Sequence, residues 1–297
     1  MAKSDKFMNL IVETDIGRDP DDFFALCYLV DAGVNIRAIT ISPGDLDQVA
    51  VVKFFLSEVG LDIPVGVGKL NRTKKSAGGI HLKLLKKYGR PLVCDHDGYG
   101  PDIMHDVHST YPDAEFFAIG PLSSLGRYVE NCLPIKRATM QGGFVGYDIH
   151  GQNVPRLDKF EGLLTCATFN LGGDKEGGKA FASSRNIAER NFVGKNICHT
   201  ILYDTTVHGL VSSVEPKSRA GEILREGMGM YLKKHKAKKF HDPSAAVCML
   251  HPEIATWIKG RLYYDKGKWG TILDDSGDNM AVNIDYDALW DCIAKGY

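Results

Sequence analysis

Five carboxylates crowd the ten residues Glu13-Thr14-Asp15-Ile16-Gly17-Arg18-Asp19-Pro20-Asp21-Asp22, directly after an apolar run and directly before a helical pattern. So many like charges repel one another unless a cation sits among them, and hard oxygen ligands suit Ca²⁺ or Mg²⁺. Helix capping would explain Asp21 or Asp22, since a carboxylate at a helix N-terminus gains ~0.3–1 kcal/mol. It leaves Glu13 and Asp15, at the same strand end, unexplained. His241-Asp242-Pro243 is a second group. Asp242 before proline reads as an N-cap; it could also complete a metal shell, with His241 as general acid for a leaving group. Asn170 is either a turn residue or an amide able to read sugar hydroxyls beside a cation. Asp95-His96-Asp97-Gly98-Tyr99-Gly100 reads as a tight turn, on the surface or facing a ligand. Gly17 gives the chain room to turn after Asp15.

The elements that must position these groups alternate. The pattern predicts strands at Phe7 to Val12, Ile36 to Ser42, Pro64 to Val67, Ala114 to Ile119 and Arg137 to Met140. Helices are expected at Asp21 to Ala32, at Leu46 to Val59 and from near Leu122, with Gly33 as a stop signal. Such alternation implies an α/β fold: an open, mostly parallel sheet with helices on both faces, where ligands bind at the C-terminal ends of strands. The Gly-rich stretch from Tyr147 to Gly178 reads as a long functional loop leading into a helix. Further on, helices are expected at Glu215 to Lys234 and Asp242 to Leu250, and strands at Gly260 to Tyr264 and Asn279 to Ile284. No repeat or linker divides the chain, so one domain over residues 1–297 is expected.

Composition narrows the class. Hydrophobic content of 44% and charged content of 25% are those of a soluble globular protein. A net charge of −1 gives no general attraction to nucleic acid or acidic membrane. The basic run Lys233 to Lys239 reads as a solvated helix end. Seven cysteines without close pairing suit a reducing compartment, and no signal peptide or membrane span is evident, so a cytoplasmic protein is expected. P-loop, GxSxG, zinc-type and GxGxxG patterns are all absent.

Taken in order, the segments resemble the inosine-uridine-preferring nucleoside hydrolase family. The acidic motif is similar to that family's N-terminal signature in a longer variant. Further matches are Ile119-Gly120-Pro121-Leu122-Ser123-Ser124-Leu125, Met140-Gln141-Gly142-Gly143, Phe169-Asn170 with Asp174 and Glu176, His241-Asp242-Pro243 and Val282-Asn283-Ile284-Asp285. The resemblance runs from about residue 8 to 290. It implies a nucleoside-hydrolase fold and a Ca²⁺-dependent N-ribosyl hydrolase of nucleoside metabolism and base salvage, acting as a homodimer or homotetramer on a small nucleoside. By that analogy Asp15, Asp22, Asp242 and the Ile119 carbonyl ligate the ion. Asp21 and Asn170 hold the ribose hydroxyls, with Asp242 also facing the sugar, and Asp45, Asn153 and Thr168 border the rest of its pocket. Asp15 orients and deprotonates the attacking water, and His241 lies near the leaving base. The oxocarbenium-like transition state explains why carboxylates are needed.

The departures from the family pattern are informative. Glu13 stands for an Asp, Asp45 for an Asn, and Cys94 for a His. Thr168 stands for a Glu that binds the 5′-hydroxyl, and its loss removes repulsion toward an anionic 5′-group. With Arg156 and Lys159 just upstream, an altered 5′ position is expected, one that takes a phosphate or another substituent. Tyr99, Tyr231, Phe240 and Trp257 are either stacking partners for a base or core, and Lys239 either contacts a base or is solvated. Two other readings stay open: a phosphohydrolase of the haloacid dehalogenase type, disfavoured because Glu13 occupies the nucleophile's place, and a binding protein that kept the pocket without turnover.

Overall fold

The computed structural model describes residues 8–68, 76–149 and 157–297. Its described strands are β1 (Asn9–Thr14), β2 (Asn35–Ile41), β3 (Val65–Val67), β4 (Gly98–Tyr99), β5 (Glu115–Ala118), β6 (Ile135–Gln141), β7 (Thr165–Cys166), β8 (Ile187–Val193), β9 (Leu202–Asp204), β10 (Ala237–Lys239), β11 (Ala255–Asp265), β12 (Lys268–Leu273) and β13 (Asp278–Ile284). Eleven of them form one sheet in the order β4-β3-β2-β1-β5-β6-β8-β13-β11-β12-β7. From β4 to β13 the neighbours run parallel; β11, β12 and β7 extend the sheet antiparallel. β9 and β10 pair separately as a two-stranded ribbon.

The strand order places the site. After β1 the chain builds outward through β2, β3 and β4; it then returns to the other side of β1 with β5. The β1–β5 junction is thus a topological switch point, and the crevice at the carboxyl ends of those strands is where such sheets bind ligands. Asp15 and Ile119 are the residues that follow β1 and β5.

The helices are α1 (Asp21–Asp31), α2 (Leu46–Val59), α3 (Gly79–Lys87), α4 (Gly100–Thr110), α5 (Leu125–Tyr128), α6 (Phe169–Gly173), α7 (Lys175–Ser183), α8 (Lys195–Cys198), α9 (Thr205–Ser212), α10 (Arg219–Leu232), α11 (His241–Leu250) and α12 (Tyr286–Lys295). α1 is enclosed: it packs on α10 and α11, and Phe23 through Leu29 are fully buried. A helix that is apolar on every side belongs in an interior. Its polar exceptions are its ends: Asp21 and Asp22 in the first turn and Asp31 in the last are buried as well.

Three sequence expectations change here. The basic run is not simply a solvated helix end: α10 stops at Leu232, Lys233 to Lys236 are exposed, and β10 turns Lys238 inward to 6% exposure. The stretch after Tyr147 is more ordered than a loop; outside residues 150–156 it carries the 3₁₀ turn Asp158–Phe160, β7, α6 and α7. The Asp95 to Gly100 turn is a structural joint: Asp97 Oδ2 accepts from Val65 N at 2.7 Å and Lys53 Nζ at 2.6 Å, and β4 and α4 follow.

Glu13 ties the switch point together. It is buried, and its carboxylate accepts from Ser124 N at 2.7 Å, Leu125 N at 2.8 Å and Ser42 Oγ at 3.1 Å. Burial outweighs these bonds and pushes its carboxyl up to about 7. The longer acid therefore braces the loop after β5 rather than facing the cavity. Because its folded value lies above the ordinary one, its contribution to stability is complete below about 4.5 and is lost as the pH rises through about 7. Glu13→Gln turns one oxygen acceptor into a donor facing backbone N–H groups. We expect it to cost about 1–3 kcal/mol, read as a lowered Tm; an unchanged melting curve would refute this role.

Candidate active site

A cavity of about 450 Å³ opens at the switch point, lined by Asp15, Arg18, Asp19, Asp21, Asp22, Pro43, Gln48, Ser76, Ile119, Gln141, Phe169, Asn170, His241 and Asp242. Residues from the end of β1, the start of α1, the end of β5, the start of α6 and the start of α11 converge there. The expected Asp15, Asp21, Asp22, Ile119, Asn170, His241 and Asp242 all face this one space.

Local bonding explains how the acids are held. Thr14 Oγ1 donates to Asp22 Oδ1 at 2.5 Å, and Asp15 N donates to the same oxygen at 3.1 Å. The turn after β1 thus wraps the first turn of α1. Gly17 serves this turn by allowing close approach: a Cβ there would meet the Ser76 carbonyl oxygen at 2.5 Å. Gly120 does the same on the other side, where a Cβ would lie 2.5 Å from Asp15 N. Asp242 is not the N-cap expected of it. Phe240 holds that position, and Asp242 is buried in the first turn of α11.

Carboxylate oxygens of Asp21, Asp22 and Asp242 all lie within 4.8 Å of one another, each residue buried. Burial first, then the charges of Asp15 and Asp21, raise Asp22 well above the usual carboxylate range. Burial first, then Asp21, Asp22 and Asp15, do the same to Asp242. Asp21 differs. Burial opposes its charge, but the hydrogen bond from His241 and the charge of Lys238 outweigh it and hold the carboxyl below its ordinary value. His241 Nδ1 lies 3.2 Å and Lys238 Nζ 3.3 Å from Asp21 Oδ2; Lys238 also reaches Asp19 Oδ1 at 2.7 Å. The chain thus supplies counter-charge to Asp21 and leaves Asp22 and Asp242 in want of one, a donor set that fits a hard divalent cation.

The neighbouring groups are positioned too. Asn170 Nδ2 donates to Gln141 O at 3.0 Å and to Gln141 Oε1 at 2.8 Å. With Nδ1 of His241 on Asp21, its buried Nε2 is left without a partner. Phe169 is 60% exposed although it lines the cavity. Other expected residues stand beside the cavity without lining it. Asp45 precedes α2 and accepts from Ser76 Oγ at 2.7 Å. Thr168 is buried, with an unpartnered hydroxyl, at the N-cap of α6. Asn153 and Arg156 lie outside the described residues. Of the aromatic candidates, Phe240 is core, packed on Tyr203, while Tyr231 stacks on His235 in a second cavity that shares Arg18 and Asp19 with the first.

Two contributors escape the sequence reading. Gln48 Nε2 donates to Ile16 O at 2.8 Å and Asp15 O at 3.2 Å, pinning the acidic turn. Its signal was the capping-box spacing Asp45-Leu46-Asp47-Gln48. Lys238 has no comparable signal within its run of lysines.

The fold and the acidic crevice define a class, the N-glycosyl hydrolases built on an open parallel sheet. The chain belongs to the inosine-uridine preferring nucleoside hydrolase family, whose model matches residues 10–291. Similar folds occur in a plant nucleoside hydrolase (21% identity, TM-score 0.72, covering 97% of this chain and 98% of that one) and a purine-preferring ribonucleoside hydrolase from Gardnerella vaginalis (17%, 0.70, 97% and 97%). An inosine-uridine preferring nucleoside hydrolase from Bacillus anthracis is similar as well (14%, 0.68, 98% and 100%). No curated protein matches in sequence.

Replacing Lys238 tests the charge balance. Lys238→Met leaves Asp21 as a buried anion with less compensation, at a cost of about 3 kcal/mol. In the parent protein the depressed Asp21 value adds stability that is lost as the pH falls through it. Without Lys238 that value rises, so the variant's deficit should be greatest at pH 8 and shrink toward pH 5. Urea titrations at both pH values read this; an equal deficit at the two would exclude it.

Proposed function

We propose that this cavity hydrolyses the N-glycosidic bond of a ribonucleoside, with a hydroxyl or a substituent at the 5′ position, to free base and ribose, using Ca²⁺. The observation that carries the reading is the meeting of Asp22 and Asp242, buried and uncompensated, with Asp15 at the switch point. Asp15, Asp22, Asp242 and the Ile119 carbonyl would hold the ion, and Asp21 is left for substrate because Lys238 and His241 already balance its charge. When bound, Ca²⁺ supplies a positioned water of lowered pKa.

The chain's own residues do the rest. Asp21 and Asn170 bind the ribose hydroxyls and fix the anomeric carbon against the water. Asp15 orients that water and takes its proton. The surrounding carboxylates stabilise the positive charge that grows on the sugar ring. His241, through Nε2, delivers a proton to the base as the bond breaks, a suitable task for imidazole near neutral pH.

The test is chromatographic assay of base release from a panel of ribonucleosides, with and without chelator. We expect release that chelator stops and Ca²⁺ restores. Asp15→Ala should abolish both metal binding and turnover, and His241→Ala should lower kcat by about 10²–10⁴-fold. Base release that survives chelation, or full activity of Asp15→Ala, would refute the mechanism. Nucleoside binding without any release would instead favour a binding protein.

A further inference from the structure

Three lysines from separate elements gather beside the cavity. Lys159, on the 3₁₀ turn, hydrogen-bonds His199 Nδ1 and lies 5.0 Å from the centroid of the Phe160 ring. Lys195, at the start of α8, donates to the Ala167 carbonyl at 2.6 Å and lies 3.8 Å from Cys166 Sγ. Lys239 extends from β10. After burial, Lys239 and Lys195 are the charges that hold the Lys159 ammonium below its ordinary value, so both are within electrostatic reach of it. Among the described residues none of them is bridged to a carboxylate; Asp158 and Glu161 flank Lys159 in sequence, but both are exposed and neither pairs with it.

The cluster is one ring away from the cavity. His199 stacks on His241 with ring centroids 5.2 Å apart and planes at 27°, and His241 lines the cavity. On the other side, the carbonyl that Lys195 holds belongs to the residue before Thr168, and Phe169 and Asn170 of the same segment line the cavity. Thr168 brings no negative charge to this wall. Like charges gathered without a counter-ion raise the energy of the free protein. A dianion would turn that repulsion into charge-assisted hydrogen bonds.

We propose that Lys159, Lys195 and Lys239, with His199 orienting the first, form a subsite for the 5′-phosphate of the substrate, so that the chain acts on ribonucleoside 5′-monophosphates. This rests on the hydrolase reading above. The reaction stays balanced: water gives its hydroxyl to C1′ and a proton to the departing base, the C1′–N bond breaks, and the phosphate ester is untouched. The products are free base and ribose 5-phosphate.

The test compares kcat/KM for a ribonucleoside and its 5′-monophosphate in the intact protein with Ca²⁺. We expect the monophosphate to be preferred at least tenfold, with each of Lys159→Gln, Lys195→Gln and Lys239→Gln reducing that preference by about tenfold. Calorimetry with ribose 5-phosphate and with ribose gives a readout free of turnover and of the variants' folding. Tighter binding of ribose 5-phosphate, weakened by added salt, supports the subsite; equal binding overturns it. Nucleoside hydrolysis that is equal to or faster than that of the monophosphate overturns the subsite and leaves the hydrolase reading standing. Base release from neither overturns the hydrolase reading, and the sugar-binding comparison still decides the anion site.

Discussion

Repulsion among buried carboxylates is the constraint around which this molecule is arranged. Asp22 and Asp242 are held within ligand distance by the first turns of two packed helices, α1 and α11, and neither can move away without opening the core. A fold that existed only for stability would not keep such a pair, because each charge raises the cost of the other. The structure confines that cost to one place. Thr14 and the Asp15 amide hold Asp22, Gln48 pins the turn, and Lys238 with His241 neutralises Asp21. What remains uncompensated is a hole shaped for positive charge, whether a cation or a sugar on its way to an oxocarbenium ion.

Charge of the opposite sign collects nearby. Lys159 hydrogen-bonds His199, whose ring stacks on His241, and His241 in turn meets Asp21 through Nδ1. On the proposed reading, the His199–His241 stack links the two fields, and the sugar and the 5′-phosphate of one ligand would meet charges of opposite sign. The near-zero net charge of the whole chain hides this division. Overall charge bears on solubility and non-specific attraction, whereas a local field decides recognition.

Much of this was legible in the residue order. The parallel sheet followed from strands and helices alternating with short links, and α2 runs from Leu46 to Val59 as its periodicity predicts. The acidic turn announced itself because helix capping accounts only for Asp21 or Asp22, although Glu13 braces the loop after β5 and stands outside the cavity. Other parts were hidden for physical reasons. β8 places exposed Glu189 and half-buried Arg190 between a buried Ile187 and the buried run from Asn191 to Val193, which blurs the alternation. α3 does carry a helical stripe in Ile80, Leu84 and Leu85, yet its leading glycine and its lysines mask it. Lys238 could not be told from its neighbours, because only the pairing of β10 with β9 decides which lysine turns inward. Likewise Lys159, Lys195 and Lys239 are brought together by tertiary structure, not by spacing.

The two-stranded ribbon has a bearing beyond the charges it carries. Its second strand, β10, joins the end of α10 to the start of α11, and so stands between a helix that encloses α1 and the helix that delivers His241 and Asp242. A shift of that strand would move Lys238, Lys239 and the His241 ring together. Homologous chains could therefore alter selectivity by changing the length of this one connection, while the carboxylates themselves stay in place.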